Sequence, residues 1–350
     1  MEKITKDNLK GHVDIRKFAE SMREGKVDEV MTTSDFGHMA DVIDRSVMLG
    51  YTTNAMPSTY GILGYRYDTV SFESASSYRL SRVKTVPRVP EKGKYLPNDI
   101  DEEKFTMATY KYGEQFDISW EAWLRDGKDL SMIQDLMLSM QAWGSSVEYT
   151  KEKLFTELWA QNATLFANSH NGIDGNALAN SDNLLAATPL TEGNFSLALA
   201  ALKTFDDPQG NIAPYAGPVY LVVPATLEAT ARRIINSAQT VTGSDVVIGS
   251  YNPAFNAATV IVPPFLEAES SSDWYLFADP RIRPLVRYGY VMGEEEPKVW
   301  VKSSDAQSII SGVDNPFEGS FDSDDIEFKL RFTFGINELD WRGAVRCVAT

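Results

Sequence analysis

The clearest pattern in the chain is a strict alternation of apolar and polar residues near its C-terminal end. Between Ile326 and Ile336 every second residue is apolar, and the residues between them are polar as far as Thr333. Because successive side chains of a β-strand point to opposite faces, this period of two predicts a long strand with one buried and one wet face. A turn at residues 337–343 and a short apolar strand at 344–349 follow it.

A second periodic segment covers residues 131–167, where apolar residues step by three and four. This is the spacing of one face of an α-helix, and no proline interrupts it. We therefore expect one long spine helix, followed by a turn-rich loop at residues 167–176. The apolar stripe consists of Ile133, Leu136, Met140, Trp143, Val147, Leu154, Leu158 and Leu165.

Residues 59–118 predict a projecting β-hairpin. Aromatic and β-branched residues favour strands on both sides of residues 79–94, where prolines and a glycine favour an extended chain over a packed one. An acidic shoulder at residues 99–103 follows this tip, and a returning strand begins at residue 105. The positive charges of the tip belong to Arg79, Arg82, Lys84, Arg88, Lys92 and Lys94.

Residues 191–296 predict an α/β unit, in which helices alternate with short apolar strands. The expected strands lie at residues 218–224, 259–263, 274–278 and 284–291, with one more at 298–302. By contrast, residues 1–58 mix charges of both signs with too few apolar residues for a core of their own. We expect this segment to be an arm that packs on something else.

The charge balance narrows the possible functions. With a net charge of −16 and a pI of about 4.7, the chain lacks the basic footprint that coating nucleic acid requires. If it encloses DNA, its negative charge should repel the DNA instead of binding it. The single cysteine, Cys347, excludes an intrachain disulfide and fits a reducing cytoplasm. Since no apolar run approaches a membrane span or a signal-peptide core, we expect a soluble protein that contacts no membrane.

The order of these elements resembles that of the Mu-like major head subunits. These are major capsid proteins of tailed phages with the Hong Kong ninety-seven type fold. The most specific stretches are residues 166–172, 219–231 and 334–343, the last of which contains Asp-Trp-Arg-Gly. The resemblance implies an α+β fold divided as follows: an N-terminal arm at 1–58, an extended β-hairpin loop at 59–118, a peripheral domain at 119–190 and 297–350 with a spine helix at 131–167, and an α/β axial domain at 191–296.

The resemblance also implies a function. The chain would be a non-enzymatic structural protein, without a cofactor, that self-assembles as pentamers and hexamers into an icosahedral head around double-stranded DNA. It would reside in the virion after assembly in the host cytoplasm. The implied partners are copies of itself, a portal and decoration proteins, and a separate scaffold protein because only residues 1–58 precede the hairpin. The basic tip would contact an acidic surface of a neighbouring subunit rather than being a solvated loop.

Two alternatives stay open: a bacterial nanocompartment shell of the same fold, and a cytoplasmic hydrolase with His170 as base in a cleft of the α/β unit. The residues give the hydrolase little support. None of the three histidines has another histidine or a cysteine at metal-ligand spacing, and nucleophile-elbow and phosphate-loop motifs do not occur. The acidic runs at residues 294–296 and 322–325 predict solvated turns rather than a calcium loop, and Cys347 an inert buried thiol.

Overall fold

The computed structural model describes residues 33–53, 56–80, 88–92, 94–95, 102–119, 130–172, 175–238, 251–302, 322 and 325–349. Within these ranges, side chains are described except at residues 33–42, 78–80, 102–103, 118 and 130–137. Most of the predicted arm, and the tip residues Arg82 and Lys84, lie outside the described residues.

Helices and strands both occur throughout the described part of the chain, so the predicted α+β class is confirmed. The helices are α1 (Thr33–Thr52), α2 (Thr59–Leu63), α3 (Leu130–Trp159), α4 (Glu192–Thr204), α5 (Glu228–Asn236) and α6 (Leu266–Glu269). The strands are β1 (Tyr65–Arg66), β2 (Ala75–Leu80), β3 (Glu102–Met107), β4 (Tyr110–Ser119), β5 (Leu184–Leu185), β6 (Val219–Val222), β7 (Thr259–Ile261), β8 (Trp274–Ala278), β9 (Val286–Gly289), β10 (Lys298–Val301), β11 (Asp325–Glu338) and β12 (Ala344–Cys347).

The chain divides into two compact units. The first comprises residues 1–55, 111–148 and 296–333, and the second comprises residues 56–110, 149–295 and 334–350. Helix α3 and strand β11 each contribute residues to both.

In the first unit, α1 crosses the N-terminal part of α3 at very short range. A Cβ atom on Gly144 would lie 2.1 Å from the carbonyl oxygen of Val47, and one on Gly50 would lie 2.0 Å from that of Gln141. Two glycines therefore allow the two backbones to touch. Val47 and Met140 are buried on this crossing region, with exposed fractions of 0% and 1%.

The predicted long strand is confirmed as β11, and its alternation is the reason it forms. Ile326, Phe328, Leu330 and Phe332 are buried, whereas Lys329 is exposed. In the first unit β10 pairs with it antiparallel, and β4 pairs with it as well. One face thus supplies core, while the polar face is exposed at Lys329 and buried at Thr333.

The second unit is built on a five-stranded sheet in the order β5-β12-β8-β6-β7. Strand β8 is buried along its whole length because both of its faces are covered. On one face, Trp274 and Leu276 join a core with Phe195 and Leu202 of α4. On the other face, Trp159 packs edge-on against two aromatic rings of β8, with ring centroids 4.9 and 5.0 Å away.

Three boundaries differ from the sequence-based expectations. Helix α3 ends at Trp159 and not at residue 167, because Gln161 takes a left-handed conformation (φ 55°) and Asn162 Nδ2 donates to the Leu158 carbonyl at 2.8 Å. The returning strand expected from residue 105 is two strands: β3 pairs with β2, and β4 pairs with β11. The sheet of the α/β unit also extends beyond residues 191–296, since β5 and β12 belong to it.

Candidate functional site

The basic tip predicted to bind a neighbouring subunit is carried by a short two-stranded ribbon. Strand β2 pairs antiparallel with β3 from Ala75↔Met107 to Leu80↔Glu102, and the predicted tip lies between these two strands in the sequence. Arg79 lies in β2, and Arg88, Lys92 and Lys94 are exposed. Lys92 has a positive φ of 63°, which is typical of a turn residue. That the tip contacts another subunit stays a prediction.

A different group of residues unites two of the stretches on which the family resemblance depended. The His170 ring stacks on the Trp341 ring at a centroid distance of 4.0 Å, with 2° between the ring planes. His170 belongs to the loop after α3, and Trp341 follows β11. Phe205, which follows α4, packs edge-on against Trp341 at 5.2 Å. Sequence stretches far apart in the chain therefore meet around one indole.

Asn183 is the hub of this cluster, and the sequence analysis missed it. Its side chain is 0% exposed. The two hydrogens of its Nδ2 are shared among the carbonyl oxygens of Leu165, Trp341 and Ala344, which lie 2.7, 3.0 and 3.3 Å from the nitrogen, respectively. Its Oδ1 accepts from the Ala167 backbone N–H at 2.9 Å. One amide side chain thus joins the loop after α3 to the turn between β11 and β12.

The bond between Asn183 and His170 also fixes the state of the imidazole. His170 Nε2 lies 2.9 Å from Asn183 Oδ1. Because the Ala167 N–H identifies that amide atom as the oxygen, Nε2 is the donor. Burial lowers the pKa of His170, which favours the neutral ring. His170 therefore acts in packing, and the geometry gives no support to the hydrolase alternative.

The Asp-Trp-Arg-Gly motif is completed by a buried ion pair. Arg342 Nη1 lies 3.0 Å from Asp340 Oδ1, and the two side chains are 2% and 5% exposed. Arg342 Nε donates to the Asp206 carbonyl oxygen at 2.5 Å, and the guanidinium carbon lies 4.3 Å from the Trp341 ring centroid. Gly343 is required because a Cβ there would be 2.7 Å from the Leu285 backbone nitrogen. Each residue of the motif thus has a structural role.

The remaining chemical candidates are structural as well. Cys347 is buried, and burial raises the pKa of its thiol to about 12, so the thiolate is not populated at neutral pH. Glu295 pairs with Arg66 at 2.8 Å on the surface. Among the residues whose positions are described, no group of three metal-ligating side chains occurs. Nor does any helix there have the length and hydropathy needed to cross a bilayer.

A family of phage capsid proteins matches residues 102–347. The chain belongs to this family. The matched residues extend from β3 to β12 and include the His170–Trp341 cluster. The predictions that the chain is a phage capsid protein and is located in the virion are thus confirmed. As a family member the chain is a structural protein, and the nanocompartment alternative is not favoured.

Solved structures of low sequence identity resemble the fold. The capsid structure of cyanophage P-SCSP1u is 11% identical with a TM-score of 0.49, covering 84% of this chain and 89% of that one. A Mycobacterium phage Patience chain is 12% identical with a TM-score of 0.47, covering 92% and 91%. A virus-like particle from Pyrococcus furiosus is 11% identical with a TM-score of 0.44, covering 88% and 98%. No protein of curated function matches the sequence significantly.

Proposed function

We propose that the chain is a Mu-like major head subunit with the Hong Kong ninety-seven type fold. Pentamers and hexamers of it form the icosahedral head that encloses the double-stranded DNA of a tailed phage. The observation that carries this proposal is the family match over residues 102–347. It is supported by the packing of the Asp-Trp-Arg-Gly motif, which resembles that of Mu-like subunits, into the cluster around Asn183.

The roles that we propose for the segments of the subunit are those implied by the resemblance to Mu-like subunits. Residues 1–58 act as an arm, residues 59–118 as an extended loop, and residues 191–296 as an axial domain. Residues 119–190 and 297–350 form the peripheral domain. A portal, a separate scaffold protein and decoration proteins are the further proposed partners. The net charge of −16 favours enclosing DNA without sequence-specific binding.

The basic tip is the proposed contact with a neighbouring copy. The ribbon β2–β3 presents exposed Arg88, Lys92 and Lys94 in a chain with 49 acidic and 33 basic residues. Identical acidic copies would attract this tip and fix its register. Each exposed ion pair contributes only about 0.2–1 kcal/mol, so the effect depends on several pairs repeated over many subunits.

A charge reversal tests the tip. Replacing Arg79, Arg82, Lys84 and Arg88 by glutamate should leave the subunit folded, as judged by its thermal unfolding, but should block shell formation. The matched control exchanges Arg79, Arg82 and Arg88 for lysine and Lys84 for arginine, which keeps every charge and should allow assembly. Raised salt should also weaken wild-type shells, because it screens the charge interactions that the reversal removes. Normal, salt-indifferent shells from the fourfold reversal would show that the tip is a solvated loop.

A further inference from the structure

Arg287 is a buried cation with little compensation. It lies in β9 and is 1% exposed. Its Nη1 donates to Ser77 Oγ at 2.5 Å, and its guanidinium carbon lies 5.4 Å from the Tyr67 ring centroid. Its Nε and Nη2 have no hydrogen-bond partner within the described part of the chain. These two N–H groups form one edge of the guanidinium, the edge that can hold both oxygens of a carboxylate.

The other deeply buried arginines of this unit are satisfied. Arg283 donates to the carbonyl oxygens of Leu202 and Ala213 at 3.1 and 2.6 Å. Arg342 has its ion pair with Asp340. A buried charge without a counter-ion costs several kcal/mol, and burial accordingly lowers the pKa of Arg287. Of these three arginines, Arg287 is therefore the one whose burial is not explained by hydrogen-bond partners among the described residues.

Asp68, which follows the strand β1 that pairs with β9, is already engaged. Asp68 accepts from Arg66 Nε at 2.9 Å and from the Tyr290 backbone N–H at 3.2 Å. The two side chains that contact the Arg287 guanidinium, Ser77 and Tyr67, are both only half-buried. Nε and Nη2 are buried in the isolated subunit, so a group from another chain can reach them only if surrounding segments, such as the ribbon β2–β3 that contains Ser77, move during assembly.

We propose that Arg287 receives a carboxylate from a neighbouring copy of this chain when subunits assemble. The inference rests on the proposed function, because the second copy is present only in a shell. A carboxylate is the group whose two oxygens match the edge formed by Nε and Nη2. The 49 acidic residues per copy make it the most abundant charged group on any adjacent subunit. Arg287 thus couples the base of the hairpin to subunit contact.

The test uses Arg287→Met, with Arg283→Met as the matched control for loss of a buried guanidinium. Two quantities are measured: the Tm of unassembled subunits isolated by size exclusion, and the denaturant midpoint at which shells dissociate. Arg287→Met removes an unpaired buried charge, so the subunit Tm should stay equal or rise, while its shells dissociate at lower denaturant than wild type. Arg283→Met should lower the subunit Tm by at least a few degrees, because it leaves two carbonyls unpaired.

Two results would overturn the inference. If Arg287→Met lowers the subunit Tm as much as Arg283→Met does, the guanidinium has its partner within its own chain. If Arg287→Met shells resist denaturant as well as wild-type shells, no carboxylate of a neighbour depends on Arg287. Failure of the wild-type chain to form shells at all is a separate result, because it would overturn the proposed function itself.

Discussion

The imidazole of His170 lies flat on the indole of Trp341, with ring centroids 4.0 Å apart and ring planes 2° from parallel. These residues come from two of the stretches by which the sequence resembles Mu-like head subunits. Their contact joins the loop after α3 to the turn after β11. The resemblance therefore reflects a packed structural cluster and not a catalytic one.

The stack predicts a pH dependence of stability. Burial lowers the pKa of His170 in the folded state, whereas the unfolded value is about 6.5. As the pH falls through about 6.5, the unfolded chain takes up a proton that the folded chain resists, so stability is lost on the acid side. His170→Phe keeps a stacked ring without titration, and its Tm should fall less between roughly pH 7 and 5. Parallel Tm profiles for the two proteins would contradict this expectation.

Asn183→Ala should be strongly destabilising. The substitution removes the acceptor of the Ala167 N–H and the amide group that donates to the carbonyl oxygens around it, at a cost of about 2–4 kcal/mol in the free energy of unfolding. Asn194→Ala is the control, because that side chain makes a single exposed bond to the Pro189 carbonyl. It should cost less than about 1 kcal/mol. Denaturant titration of unassembled subunits measures both, and equal losses would show that Asn183 is not the hub.

Gly144→Ala should destabilise the first unit although alanine is the better helix former by about 1 kcal/mol. The added methyl would lie 2.1 Å from the Val47 carbonyl oxygen and would force the two helices apart, at a cost of about 2–4 kcal/mol. Gly193→Ala in α4 is the matched control, since no heavy atom lies within 4 Å of its added methyl. Its unfolding free energy should be unchanged or slightly higher. A Gly144→Ala protein as stable as wild type would disprove the close crossing.

Phe155→Ala should cost more than Leu154→Ala. Phe155 is 0% exposed and packs against Tyr60 at a centroid distance of 6.4 Å, whereas Leu154 is only half-buried. We expect a loss of about 3–5 kcal/mol for Phe155→Ala and less than about 2 kcal/mol for Leu154→Ala. The free energies of unfolding measured by urea titration should keep this order. The reverse order would show that Leu154 lies on the buried face of α3, as the apolar periodicity of the sequence suggested.

Local patterns predicted the strands well. The alternation at residues 326–336 identified β11 because its period is fixed by the pleat and needs no knowledge of neighbours. The apolar run that contains Val219–Val222 identified β6 for a different reason: a short continuous apolar segment is typical of a strand covered on both faces. The turn motif at residues 340–343 was recognised from its letters, while its role in binding Asp206 depends on contacts between distant residues.

The pattern was less informative where distant residues decide burial. Lys151 and Glu152 of α3 are 0% and 1% exposed, although charged residues normally mark the wet face of a helix. Glu152 is buried because it accepts from the Thr59 and Tyr60 backbone N–H groups at the start of α2, and Lys151 lies over the Tyr290 ring. These partners are far away in sequence, so the periodicity pointed to Leu154 and Leu158 instead.

Electron microscopy of the purified protein shows whether this chain forms the shell of a phage head. The protein should be examined alone and together with its proposed scaffold. We expect closed icosahedral shells in which fivefold and sixfold clusters of this one chain cover the surface. Monomers or small closed oligomers under both conditions, with no shells, would contradict this expectation.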